Sequence, residues 1–115
     1  MATVGVGSYP KGTASPQRVE VLSGVFLRDP RVKAFVLERA HGRCECCASP
    51  APFKTVHGDD YLEVHHMKPL ANGGSDTVHN AVALCANCHR ALHYSANALD
   101  LAGRVYESVP QLVRE

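Results

Sequence analysis

No run of eighteen or more apolar residues occurs in the 115-residue chain, so no segment is expected to cross a bilayer as a helix. The amino terminus MATVGVGSYPKG has no basic start leading into a long apolar stretch, which excludes an obvious secretory leader. Charge of one sign is also missing. Twelve Lys and Arg against eleven Asp and Glu leave a formal +1 at pH 7, and that gives no broad basic field of the kind that draws proteins to nucleic acid. Any affinity for phosphate must therefore be local. An even, scattered set of cysteines is absent too: there are five, four of them in two Cys-x-x-Cys pairs, and this favours metal coordination in a reducing cytoplasm over a disulfide framework. What is present is a chain of single-domain size with 45% apolar residues, enough for a modest core.

The local pattern divides the chain into an arm over residues 1–24, a central domain over 25–98 and a tail over 99–115 that covers the core. The arm is rich in Gly, Pro, Ser and Thr, is expected to be partly disordered, and holds at most one short strand at Arg18–Leu22. In LRDPRVKAFVLERAHG, Asp29 is placed to cap a helix with Pro30 at its first position; Val32, Phe35, Val36 and Ala40 recur on one face up to Gly42. RCECCASPAPF is a tight, proline-flanked knuckle. YLEVHH and NAVALC have strand composition and are expected to pair antiparallel across the Gly- and Asn-rich loop MKPLANGGSDTVH. CHRALHYSANAL, from Cys88 onward, lacks Gly and Pro and predicts a helix of two to three turns. The tail is expected as a strand or a helix.

Cys44 with Cys47, and Cys85 with Cys88, have the two-residue gap that lets both sulfurs of a turn reach one ion, and four such thiolates close a tetrahedral, structural Zn²⁺ site. Cys46 is the spare thiol. His89 and His93 lie one turn apart on the same helix face and can ligate one ion. His65 and His66 are neighbours on a strand and project to different sides, so one can ligate while the other takes a proton. Phosphodiester hydrolysis assisted by a metal needs that division of labour. A second closed zinc site made of all four histidines is the alternative, and it would make the protein a DNA-binding or interaction module without catalysis. His41, His57 and His79 are read as surface or packing residues, with His41 beside Gly42 closing a helix end.

LEVHHMKPLANGGSDTVHNAVALCANCHRALH, preceded by GRCECC, resembles the HNH nuclease motif of the ββα-metal (His-Me finger) fold, in the four-cysteine subgroup that includes McrA-type methylcytosine-specific restriction endonucleases. The likeness covers about residues 28–94. It implies an α+β domain with a structural zinc held by four cysteines, and a metal-dependent DNA endonuclease that nicks or cleaves duplexes. It further implies His66 as the general base, and His65, His89 and His93 as ligands of one catalytic divalent ion: Mg²⁺, Mn²⁺, Ni²⁺ or Zn²⁺. Asn80 would pin the loop between the strands, and Glu63 would orient a histidine or an arginine. Lys68, Arg90, Arg43 and Lys54 are the basic residues nearest the motif and are candidates for phosphate contact. A chain of this length leaves no room for a separate reader of modified bases, so methylation dependence does not follow from the resemblance. A homodimer, or a targeting domain on another polypeptide, would supply a second cut or an address.

Overall fold

The computed structural model describes residues 8–115. Residues 8–28 are exposed and contain neither helix nor strand. The strand expected at Arg18–Leu22 therefore does not form: among the described residues no second strand lies beside it, and a lone extended segment has no ladder to satisfy its backbone. The first seven positions of the expected arm lie outside the described residues.

Regular secondary structure begins with the cap residue Asp29. Its carboxylate accepts a hydrogen bond from the Arg31 amide at 2.9 Å, and Pro30 opens helix α1, Pro30–Ala40. Both features are favoured at a helix start, one by satisfying an orphan amide and the other by its preset φ. The helix ends where His41 turns left-handed at φ 53°, with its amide and Nδ1 both directed at the Glu38 carbonyl. Val36 and Ala40 are buried, with Val32 and Leu37 packed against the same core. Phe35, expected on the core face, is instead 45% exposed. The buried ridge is the i, i+4 row Val32–Val36–Ala40, and a two-stranded sheet is too narrow to cover its flank as well.

The sheet pairs β1, Glu63–His66, with β2, Ala81–Leu84. The strands are antiparallel, in the register Glu63↔Leu84, Val64↔Ala83, His65↔Val82, His66↔Ala81. All four residues of β2 are completely buried, between α1 on one side and later segments on the other. Helix α2, Ala86–Tyr94, starts two residues before the expected Cys88, because the Cys85 sulfur caps it by accepting from the Cys88 amide. It also stops short of Leu99. Ser95 and Asn97 hydrogen-bond each other there, an alternative that competes with the helix ladder. Helix α3, Ala98–Ser108, follows, and Val105 and Val109 complete the core.

One ion pair binds these layers. Arg39 on α1 meets Glu45 twice at 2.8 Å, and its guanidinium also donates to the Val78 and Ala81 carbonyls. Glu45 in turn accepts from the Ala83 amide. Buried charges require such full pairing.

Candidate metal centres and active site

The knuckle after α1 and the start of α2 bring Cys44, Cys47, Cys85 and Cys88 together, each offering a sulfur within 4.8 Å of the others. Four sulfurs at Zn–S distances of about 2.3 Å would stand roughly 3.8 Å apart, so the set fits a tetrahedral ion. The Cys46 amide donates to the Cys44 sulfur, as the Cys88 amide does to Cys85, both at 3.4 Å. Burial pushes the Cys44 and Cys88 thiols up, whereas the Ser49 hydroxyl beside Cys47 brings that thiol down to about 6. Crowded sulfurs of this kind ionise together only around a cation. Cys46 is outside the set.

Directly after Cys88 on the same helix His89, and one turn further on His93, meet His65 of β1. One nitrogen from each ring lies within 4.8 Å of the others, and the Nε2 atoms of His89 and His93 are 3.3 Å apart. That is close to the spacing of two tetrahedral ligands at about 2.0–2.1 Å from an ion. Burial, reinforced by His89, His93 and His66, pushes His65 down to about 4, so its ring is neutral and its lone pair available at physiological pH. Glu63, two residues earlier on β1, places Oε1 2.7 Å from His89 Nδ1. The Tyr61 hydroxyl, donating to Glu63 Oε2 at 2.6 Å, and then His89 hold this carboxyl below its usual range. An ionised carboxylate only accepts, so Nδ1 carries the proton and Nε2 is left as ligand. Outer carboxylates commonly fix ligating histidines in this way.

His66 takes no part in that cluster. Its side chain is 9% exposed, and its Nε2 lies 2.8 Å from Asp76 Oδ1. The strand alternation that separates His65 from His66 is the one expected from the sequence. Asn80 is fully buried and joins both ends of the intervening loop: Oδ1 accepts from the Lys68 amide at 2.9 Å, while Nδ2 donates to the carbonyls of Lys68 and Ser75. The loop fits so tightly that a Cβ on Gly74 would sit 1.9 Å from the Lys68 carbonyl oxygen.

The family model described as HNH endonuclease matches residues 44–95, which include both cysteine pairs, Glu63, all four clustered histidines and Asn80. Residues 44–95 form an HNH domain. Across 105 residues, 91% of the chain, the sequence is 50% identical to the type IV methyl-directed restriction enzyme EcoKMcrA of Escherichia coli (strain K12). The solved structure of the type IV phosphorothioation-dependent restriction endonuclease ScoMcrA matches 70% of the chain at 38% identity with a TM-score of 0.64. The chain spans 38% of the length of the first protein and 17% of the second. The small α+β architecture expected from the sequence, with a cysteine cluster able to hold zinc, is the one found.

Within the HNH domain a cleft of about 280 Å³ is lined by Phe26, Arg28, His65, His66, His89 and His93. A neighbouring cleft of about 440 Å³ includes His66, Asp76 and Asp29 but none of the other three histidines. Of the expected phosphate contacts, Lys54 is ion-paired with Asp60 at 3.0 Å and Arg43 donates to the Ala48 carbonyl. Both lie in the knuckle and lead-in segment, and neither lines the histidine cleft. Lys68 leads into the Asn80-pinned loop, and Arg90 follows His89. Two residues at the site escaped sequence reasoning. Arg28 stands just before Asp29 in the lead-in to α1, where no pattern marked it. Asp76 lies in a turn-rich loop ten residues after His66, and its only sequence signal was a loop signal.

Proposed function

We propose that the HNH domain is a metal-dependent DNA endonuclease, hydrolysing phosphodiester bonds by nicking or double-strand cleavage, with His66 as general base. The observation that carries this reading is the separation of the four histidines into three that converge and one that turns away. A three-histidine set leaves a coordination position open, as catalytic sites do, whereas the four-cysteine set is closed. The alternative of a binding module with a second closed zinc site needs His66 as a fourth ligand, and the Asp76 contact holds that ring elsewhere.

His65, His89 and His93 would hold the catalytic divalent ion, and Cys44, Cys47, Cys85 and Cys88 the structural zinc. When bound, the catalytic ion supplies positive charge against the scissile phosphate and the departing 3′-oxygen. His66 removes a proton from water, whose oxygen pair forms the new bond to phosphorus. The bond to the 3′-oxygen breaks with its electron pair, leaving a 5′-phosphate and, after protonation from solvent, a 3′-hydroxyl. Asn80 keeps the β1 end and the loop at one spacing, which fixes where His66 stands. Glu63 orients His89. Arg28, in the cleft wall, and Lys68 and Arg90 beside it are placed to contact phosphate. Arg43 and Lys54 would touch DNA only at the knuckle end of the domain. Residues 25–98 then form the nuclease domain, with 1–24 as an arm and 99–115 as the segment whose Val105 and Val109 close the core.

Supercoiled plasmid, methylated and unmethylated, incubated with the protein and a panel of divalent ions tests the reading. Cleavage that disappears in His66→Ala, with zinc content unchanged, is expected. Full activity in that variant removes His66 from the role of base. A protein that cleaves nothing and holds two tight zincs is the binding module instead.

A further inference from the structure

We propose that Asp76 is the positioning residue for His66: it holds the imidazole with its proton on Nε2, so that Nδ1 is the atom that receives the proton from water. The inference rests on His66 being the base. Nothing in the sequence motif required Asp76.

Both carboxylate oxygens are committed, and each to a different element. Oδ1 lies 2.8 Å from His66 Nε2, and Oδ2 accepts from the Asp29 amide at 2.7 Å. Asp29 is the cap of α1, a helix whose Val36 and Ala40 are in the core with β2. The carboxylate is thus anchored to the scaffold from behind and aimed at the ring in front. Burial works against its charge, but the hydrogen bonds from the Asp29 amide and from His66 outweigh burial and hold the Asp76 carboxyl below its usual range. It is therefore an acceptor on both sides, and the nitrogen facing it must be the donor.

The two clefts give this contact a direction. His66 is the wall between them: it lines the cleft of His65, His89 and His93, and it lines the adjoining cleft that contains Asp76. Asp76 approaches the ring from the side without the metal-binding histidines. Asp76 does not line the cleft of the three histidines, and the side chain of that cleft it hydrogen-bonds is His66, so it acts on the reaction through His66. As Nδ1 gains its proton the ring becomes an imidazolium, and the nearby carboxylate stabilises that charge.

Asparagine at this position distinguishes positioning from simple support. Asp76→Asn has one acceptor oxygen, and the Asp29 amide requires it. The new NH₂ group then faces Nε2, forces that nitrogen to accept and moves the ring proton to Nδ1, the wrong atom. An inverted tautomer of this kind costs about 10⁴-fold in a serine protease triad. Asp76→Ala imposes no tautomer. If Asp76 merely tied the loop to α1, Asn would be the milder change and Ala the harsher.

The test measures single-turnover cleavage of a plasmid substrate with Mn²⁺ for the parent, Asp76→Asn, Asp76→Ala and His66→Ala, together with melting temperature and DNA affinity. Expected is a rate falling about 10²–10⁴-fold in Asp76→Asn, a smaller fall in Asp76→Ala, and unchanged DNA affinity in both. Asp76→Asn cleaving within about threefold of the parent while His66→Ala is inactive overturns the inference and leaves the base intact. A rate order that puts Ala below Asn, following melting temperature, overturns it as well. His66→Ala retaining activity instead removes the base reading on which the inference rests. Ring-nitrogen NMR of the parent decides the matter even if a variant fails to fold: a proton on Nε2 of His66 is expected, and a neutral ring protonated on Nδ1 overturns the inference.

Discussion

Glu63→Ala should separate the two metal sites. The Glu63 carboxylate is 2.7 Å from His89 Nδ1 and receives the Tyr61 hydroxyl at 2.6 Å, so it fixes the proton, the angle and the basicity of one of the three proposed ligands. Its hydrogen-bond partners are Tyr61 and His89, not a cysteine of the cluster. Losing a carboxylate that orients a ligand typically weakens metal binding by about 10–100-fold, or roughly 1.4–2.7 kcal/mol. Glu63 and His89 are 28% and 23% exposed, and solvent will replace part of the lost bond, which places the expectation toward the lower end of that range. Glu63→Gln keeps a carbonyl that can accept from Nδ1 and should lose less. Calorimetric titration of Mn²⁺ or Ni²⁺ into zinc-loaded protein measures the affinity, and atomic absorption counts the zinc. Cleavage by Glu63→Ala should recover toward the parental rate as the second ion is raised to saturation, because the carboxylate orients a ligand and touches no reacting atom. Parental ion affinity in a folded Glu63→Ala would refute the assignment, and so would loss of the tightly held zinc.

Removing that zinc should unfold the domain rather than merely silence it: apparent binding free energies of structural zinc sites, about 10–16 kcal/mol, match or exceed the whole stability of a domain this small. A strong chelator, or Cys44→Ala, is expected to abolish the cooperative thermal transition followed by circular dichroism; a retained transition would show that the hydrophobic core suffices. A second expectation concerns acid, in zinc-loaded protein without the catalytic ion. Burial holds His65 at about 4, below its unfolded value of about 6.5, so the unfolded chain binds the extra proton. Stability from this group is full above the unfolded value and is lost as pH falls from there toward 4, amounting to about 2 kcal/mol between pH 7 and 5. Urea midpoints for the parent and His65→Asn at those two pH values measure it, and equal pH dependence in the two proteins would contradict a buried neutral ring.

The parts of the site that were legible in sequence are those whose geometry is local. Cys-x-x-Cys spacing, the i, i+4 pair His89 and His93 and the strand alternation of His65 and His66 each follow from the pitch of one element. Asp29 and Pro30 announced α1 for the same reason. The contacts that were not legible join distant segments through side chains that have a commoner use. Asp76 is a turn residue by composition, Arg39 a helix-surface cation, and Arg28 one basic residue in the lead-in to α1. Phe35 shows the converse: periodicity names an apolar stripe but does not say how wide a surface the partner can offer. The expected strand at Arg18–Leu22 failed on the same ground, since β-propensity supplies no neighbour.

The two proposed metal sites are coupled through register. The Cys85 sulfur caps α2, and Cys88 in its first turn is followed at once by His89, with His93 one turn further on. A zinc on the cysteines therefore fixes both the start and the rotation of the helix that presents two of the three histidines. The third comes from β1, where His65 pairs with Val82, three residues before Cys85. A slip of the hairpin by one residue would turn His65 away from α2 and bring His66 toward it, because successive strand side chains face opposite ways. The proposed ligand and the proposed base would exchange places. Asn80 opposes that slip: its side chain ties Lys68 and Ser75 together, and its carbonyl accepts from the Met67 amide at 2.8 Å, one residue beyond the end of β1. The asparagine thus maintains the distinction between the histidine proposed to bind the ion and the one proposed as base, through backbone contacts alone.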